Sequence, residues 1–232
     1  MLRDNAQRAQ QAIVIHYVIA SGALGAAILD LLYVNRLSHG AEEPSTLDSL
    51  LDFGQGAMGF VTLVLLTAGF VVLIRWLRRA YVNLKLAGLD TEYSDGWAAG
   101  AWFVPFINLL RPYTITREVW RSTQLQSVGS VQPHTLLRIW WFVHVFDSVV
   151  GNISGRRAFS AETIVELQSS TWFSFFANLL GIASAVLTAQ VIQRISRFEE
   201  DLQLQAQVQS LGSPAPEPVE YMPSDFTNEQ YF

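Results

Sequence analysis

Four stretches of this chain are each long and apolar enough to cross a lipid bilayer as an α-helix, and that constrains its fold more than any other feature. A hydrocarbon core about 30 Å thick takes about 20 apolar residues in helical form. Positions 12–34, 54–76, 135–153 and 172–192 meet that requirement, the third least well. Only 15% of the residues are charged, whereas a soluble domain averages about 25%. So few charges do not cover a water-exposed surface of this size. The expected fold is all-α: an integral membrane bundle of four transmembrane helices occupying 1–210. The start has the basic flank of a signal peptide, but its apolar run is as long as a span. It reads as a retained first helix.

A fifth apolar stretch, 97–112, is too short to span and carries Pro105 at its middle. Proline removes a backbone donor and clashes with the preceding turn. The stretch therefore reads as a short re-entrant or interfacial segment around Pro105. Arginine placement sets orientation, because cytoplasmic loops are enriched in Arg and Lys. Arg3, Arg8, Arg75, Arg78, Arg79, Lys85, Arg111, Arg117, Arg121, Arg138, Arg194 and Arg197 fall on one side if there are four crossings. Both termini are then cytoplasmic, and the acidic stretch 35–52 is outside. Arg156 and Arg157 disagree with this arrangement. Residues 158–170 suggest a short amphipathic helix of their own. The tail, 211–232, holds four prolines and little apolar content, so it reads as disordered or ordered by a partner.

Polar groups fall inside the spans. His144 and Asp147 lie near the middle of the third, on one face with Trp140 and Gly151. The first span shows His16, Ala20, Ala23, Ala27 and Asp30 on one face; the fourth shows Ser174, Asn178, Gly181, Ala185 and Thr188. Small residues let helices approach, and polar ones bond across the contact. The three stripes are expected to face one another. A charged Asp at mid-bilayer costs on the order of 2.5–3.5 kcal/mol, so Asp147 needs a partner, and His144 is the obvious one. The candidate buried polar site is His144, Asp147, His16 and Asn178. It reads either as packing bonds, as a proton relay or small cavity, or, at longest odds, as a metal site.

Other chemistry is not indicated. The net charge is −5 and there is no cysteine, which argues against a nucleic-acid binder and excludes thiolate chemistry. The glycines at 54, 56 and 59 mimic a dinucleotide motif, yet no strand precedes them. No cofactor, metal or catalytic group is expected.

The stretch 75–122 carries Arg79, Tyr81, Asn83, Leu84 and Gly88, then Gly96, Trp97, the run Trp102-Phe103-Val104-Pro105, Asn108, Leu109, Arg111, Pro112, Glu118 and Trp120. These residues resemble a family of multi-pass bacterial membrane proteins known only as a domain of unknown function. The resemblance implies a bacterial inner-membrane location and supplies no reaction. Arg79, Trp102, Asn108, Arg111, Arg117, Glu118 and Trp120 form a candidate lipid-headgroup or interface site, since arginine forks bind phosphates and aromatic rings collect at the interface. The alternative is a wedge closing the cytoplasmic end. The expected role is a non-enzymatic accessory or scaffold subunit, whose partners are the bilayer and, through the tail, other membrane subunits. The alternatives are a small transporter or proton conductor using His144 and Asp147, and a lipid-binding protein or lipid-acting enzyme.

Overall fold

The computed structural model describes residues 2–38 and 46–212. Six α-helices run in order: α1 Ala6–Ser38, α2 Thr46–Leu86, α3 Trp97–Gly100, α4 Arg111–Val128, α5 Thr135–Ser160 and α6 Ile164–Gly212. A single 3-10 turn, Ile107–Leu109, lies between α3 and α4. No strand occurs among the described residues. Three helices, α1, α2 and α6, are long and apolar enough to cross a membrane. The four expected spans are thus three by this measure. In α5 the residues Trp140, Trp141, His144, Asp147 and Asn152 dilute the apolar content.

The helices exceed a bilayer. At 1.5 Å per residue, the 41 residues of α2 and the 49 of α6 reach roughly 60 and 75 Å, about twice the hydrocarbon thickness. Helices of this length extend well past any single span they make. α6 is the central element, packing on α1, α5 and α4. α2 is peripheral: its most apolar window is 11% buried, against 33% for α1 and α6.

At one end the last turn of α1 and the first turns of α2 lie beside the α5–α6 connection. Arg36 pairs with Asp48 at 2.6 Å, and Tyr33 donates to Asp52 at 2.6 Å. The amide of Gln168 donates to the Ser38 hydroxyl at 2.7 Å, joining α6 to α1. Here the structure corrects the separate amphipathic helix expected over 158–170. α5 continues to Ser160, and α6 begins at Ile164. A capping box sets that start: the Glu166 N–H donates to Thr163 Oγ1 at 3.2 Å, and the Thr163 N–H donates to Glu166 Oε2 at 3.1 Å. The anomalous Arg157 finds partners on this α6 turn, donating to Ser169 at 2.8 Å and lying 5.3 Å from the Phe173 ring.

At the other end sits the tightest core. Ala9 and Ala12 of α1, Leu73, Trp76, Leu77, Ala80, Tyr81 and Leu84 of α2, Ile115 and Val119 of α4, Leu137 and Trp140 of α5, and Ile192 and Ile195 of α6 are all buried together. Much of this cluster lies beyond the apolar stretches of the helices. α4 was not expected from the sequence. Pro112 stands in its first turn, where proline is tolerated, and Gly129 closes it in the left-handed region at φ 71°. α2 ends similarly: Gly88 has φ 78°, and the Leu89 N–H donates to the Leu84 carbonyl at 3.1 Å. The tail expected to be disordered or partner-bound lies outside the described residues from position 213 onward; α6 extends to Gly212.

Candidate functional site

The polar groups of the spans are brought together in pairs. Asp30 of α1 is buried and accepts from Gln55 of α2 at 3.0 Å and from Asn178 of α6 at 2.9 Å. One carboxyl thereby joins three helices. His16 is buried, and its Nδ1 sits 2.7 Å from the Ala12 carbonyl on its own helix. The expected bond between Asp147 and His144 is not formed. The hydrogen-bonding neighbour of Asp147 is Ser184 of α6, and the close pass leaves the Cβ position of Gly181 only 3.7 Å from Asp147 Oδ1. His144 instead lies among indoles: Trp140 at 6.0 Å, Trp141 at 5.6 Å and Trp102 at 6.0 Å between centroids. Trp140 donates to Thr188 of α6 at 2.9 Å. α6 therefore meets both other stripes, standing between α1 and α5. Among the described residues no group of three His, Asp or Glu side chains is placed to hold a metal.

The segment around Pro105 forms a second site. α3 is one helical turn. Beyond it the chain reverses at Phe106, whose φ of 63° and ψ of −37° are rare for a residue with a side chain. The Ile107 N–H reaches back to the Pro105 carbonyl at 2.8 Å, a tight γ-turn, and the Asn108 N–H donates to the Val104 carbonyl at 2.9 Å. Trp102 anchors the segment inward. It is buried and packs edge-on against Phe70 of α2 at 5.6 Å and Trp141 of α5 at 6.1 Å. The Trp141 indole donates to the Leu109 carbonyl at 2.9 Å. Phe103, Phe106 and Leu110 point outward and are exposed, as is Asn108.

The rest of the arginine and aromatic set ties this segment to α2 and α4. Glu118 of α4 accepts from the Tyr81 hydroxyl at 2.8 Å and from the Glu92 N–H at 2.7 Å. The Tyr93 N–H donates to the Tyr81 oxygen at 2.9 Å. Burial first, and the Glu118 carboxylate with it, raises the Tyr81 phenol, so it stays a donor. The Arg111 guanidinium lies between two rings, Trp97 at 4.2 Å and Tyr93 at 4.8 Å, a cation–π arrangement. Arg117 lies 5.8 Å from the Tyr113 ring. Trp120 is not an interfacial ring: it is buried edge-on against Phe198 of α6 at 5.3 Å. Arg79 stands in a cationic group with Arg8, Arg75 and Arg78; burial and then these neighbours lower the Arg8 guanidinium.

Sequence reasoning missed one buried cluster. Glu199 of α6, seven residues past Ile192, accepts from the Asn5 amide at 3.0 Å and the Asn83 amide at 3.4 Å. Asn83 also holds both backbone groups of Arg3, at 3.1 and 2.8 Å. Burial pushes the Glu199 carboxyl up to about 7. Its signal was its place on the apolar face: Ile192, Ile195 and Glu199 follow at helical spacing.

Compared with known protein families, residues 45–197 match one described as a domain of unknown function, DUF4328. The match spans more than half of the chain. The chain belongs to this family. The matched region begins at the α1–α2 connection and ends within α6, so it holds α2, the Pro105 segment, α4, α5 and α6 as far as Arg197. α1, with His16 and Asp30, lies outside it. No curated protein and no solved structure matches the chain.

Proposed function

We propose that this member of the family is a four-span protein of the bacterial inner membrane, with both termini cytoplasmic, acting as a non-enzymatic accessory or scaffold subunit. α5 is the fourth crossing, paired with α6 as α1 is with α2. The Pro105 segment enters the cytoplasmic side of the bilayer as a wedge. Trp102 meets Phe70, which lies five residues, or about 7.5 Å of helix, inside Arg75. Irregular backbone at that depth is stable when packed on protein.

One observation carries the scaffold reading: Asp30 is spent on Gln55 and Asn178. A carboxyl held by two amides fixes three helices in one arrangement. A relay would instead leave it facing a proton donor or water. The outward Phe103, Phe106 and Leu110 add an apolar surface at the membrane boundary that suits a neighbouring membrane helix. Purification in mild detergent tests the reading, with stoichiometric membrane partners as the expected result. A partner-free protein that moves protons or a solute across liposomes, and stops when Asp147 becomes Asn, would sink it in favour of transport.

A further inference from the structure

Where α6 leaves the apolar span, its outer face changes character abruptly. Gln190, Gln193, Arg194 and Arg197 follow at i, i+3, i+4 and i+7, so they form one strip at Ile192, where the apolar run 172–192 ends. With Leu136 from the first turn of α5, they line a groove of about 280 Å³. That is at the small end of ligand sites. The opposite face of the same turns, Val191, Ile192, Ile195 and Phe198, is buried in the core, so the strip is held on a rigid element. The Gln193 amide is further held by the Tyr17 hydroxyl of α1 at 3.4 Å. Among the described residues, Arg194 and Arg197 make no ion pair. Ile139, one turn beyond Leu136 on α5, is exposed and extends an apolar wall away from the groove.

We propose that this α5–α6 groove binds the phosphate headgroup of an anionic phospholipid. Arg194 and Arg197 grip the phosphate oxygens, Gln190 and Gln193 take the glycerol or ester oxygens, and the acyl chain runs along Leu136 and Ile139. Two guanidinium forks converge on phosphate better than two ammonium groups would. The glutamines supply neutral donors that a bare counter-ion does not need. The groove lies apart from the Arg111 surface, whose guanidinium is already taken up by rings. The proposal depends only on the membrane boundary falling near Ile192, and not on the scaffold reading.

The test uses the full chain in nanodiscs of phosphatidylcholine with and without phosphatidylglycerol, counting phosphatidylglycerol retained after delipidation by mass spectrometry. R194Q/R197Q is expected to weaken retention about 30-fold, from roughly one anionic-surface interaction lost per arginine. R75Q/R78Q removes the same charge from the same end and is expected to leave retention unchanged. R194K/R197K keeps the charge without the fork and should fall between. Equal loss in both glutamine pairs would mean diffuse electrostatic attraction and overturn the site. Unchanged retention in R194Q/R197Q would overturn it as well. Displacement by inorganic phosphate that depends on Arg194 and Arg197 would assign the groove to a free anion and overturn the lipid. Both arginines are exposed, and a thermal unfolding curve in micelles confirms that each variant is folded.

Discussion

Asn178 of α6 donates to Asp30 of α1 at 2.9 Å, across 148 residues of sequence. This bond and its counterpart from Gln55 make Asp30 a three-helix junction. Asp30→Ala strands both amides in a buried site. Interhelical bonds in membranes are worth about 0.6–2 kcal/mol each, so the expected loss is roughly 1–4 kcal/mol. Asn178→Ala should cost less, and Asp30→Asn least. Unfolding in mixed micelles orders the three; an Asp30→Asn variant as damaged as Asp30→Ala would show that the charge matters beyond packing.

The Glu199 cluster makes stability depend on pH. Its folded carboxyl titrates near 7, above the ordinary 4.5, so the folded protein holds this proton more tightly than the unfolded chain. The sign is therefore that of a raised acid: full stability below about pH 4.5, lost as pH rises through about 7. The shift corresponds to roughly 3 kcal/mol at most. Thermal midpoints measured from pH 5 to above 7 should fall in the wild type. Glu199→Gln should flatten that fall; an identical slope in the variant would assign it to another group.

Phe106 holds a positive φ with its ring 84% exposed. Backbone strain of this kind costs about 1–3 kcal/mol, more than the 0.5–1 kcal/mol that glycine loses through flexibility. Phe106→Gly should therefore leave thermal stability in detergent equal or higher. It should at the same time weaken quenching of Trp102 fluorescence by lipids brominated along the acyl chain, as the wedge loses an apolar tip. A destabilised Phe106→Gly protein would show that the ring packs on something.

Glu118 closes the 87–96 stretch by accepting from Tyr81 and from the Glu92 backbone. Glu118→Ala removes both acceptors, at about 1–3 kcal/mol. Limited proteolysis should then cut between 87 and 96 faster, with the helices intact. Tyr81→Phe should do the same more weakly. Cleavage that stays at the wild-type rate in both would show that this stretch is held by the Lys85–Asp95 pair, at 2.6 Å, instead.

Much of the architecture was legible because helices in a bilayer are chosen locally. Backbone groups must bond within their own segment, so apolar length alone marks 12–34, 54–76 and 172–192. The capping box at Thr163 and Glu166 was equally local and could have placed the start of α6. α4 was less visible because it holds no long apolar run: Ile115, Val119 and Trp120 mark one buried face among polar residues, behind a proline in the first turn. The interior stripes were visible as periodicity, but their partners were not. Asp147 looked toward His144 because they are one turn apart on one helix; side chains one turn apart point the same way, and Asp147 met Ser184 across the interface instead.

By itself the sequence determined that the chain is helical, that it holds stretches long and apolar enough to enter a membrane, read as four where three of the observed helices meet that measure, and that a proline-broken segment interrupts them. Those follow from hydrogen-bond economy along the backbone and from hydropathy, which depend on neighbours in the chain. Only the tertiary structure decided which polar groups are spent on one another. Asp30 with Asn178, Glu118 with Tyr81, and Glu199 with Asn5 and Asn83 join residues between 37 and 194 positions apart. Such pairs depend on how helices cross and slide against each other, and no local pattern records that.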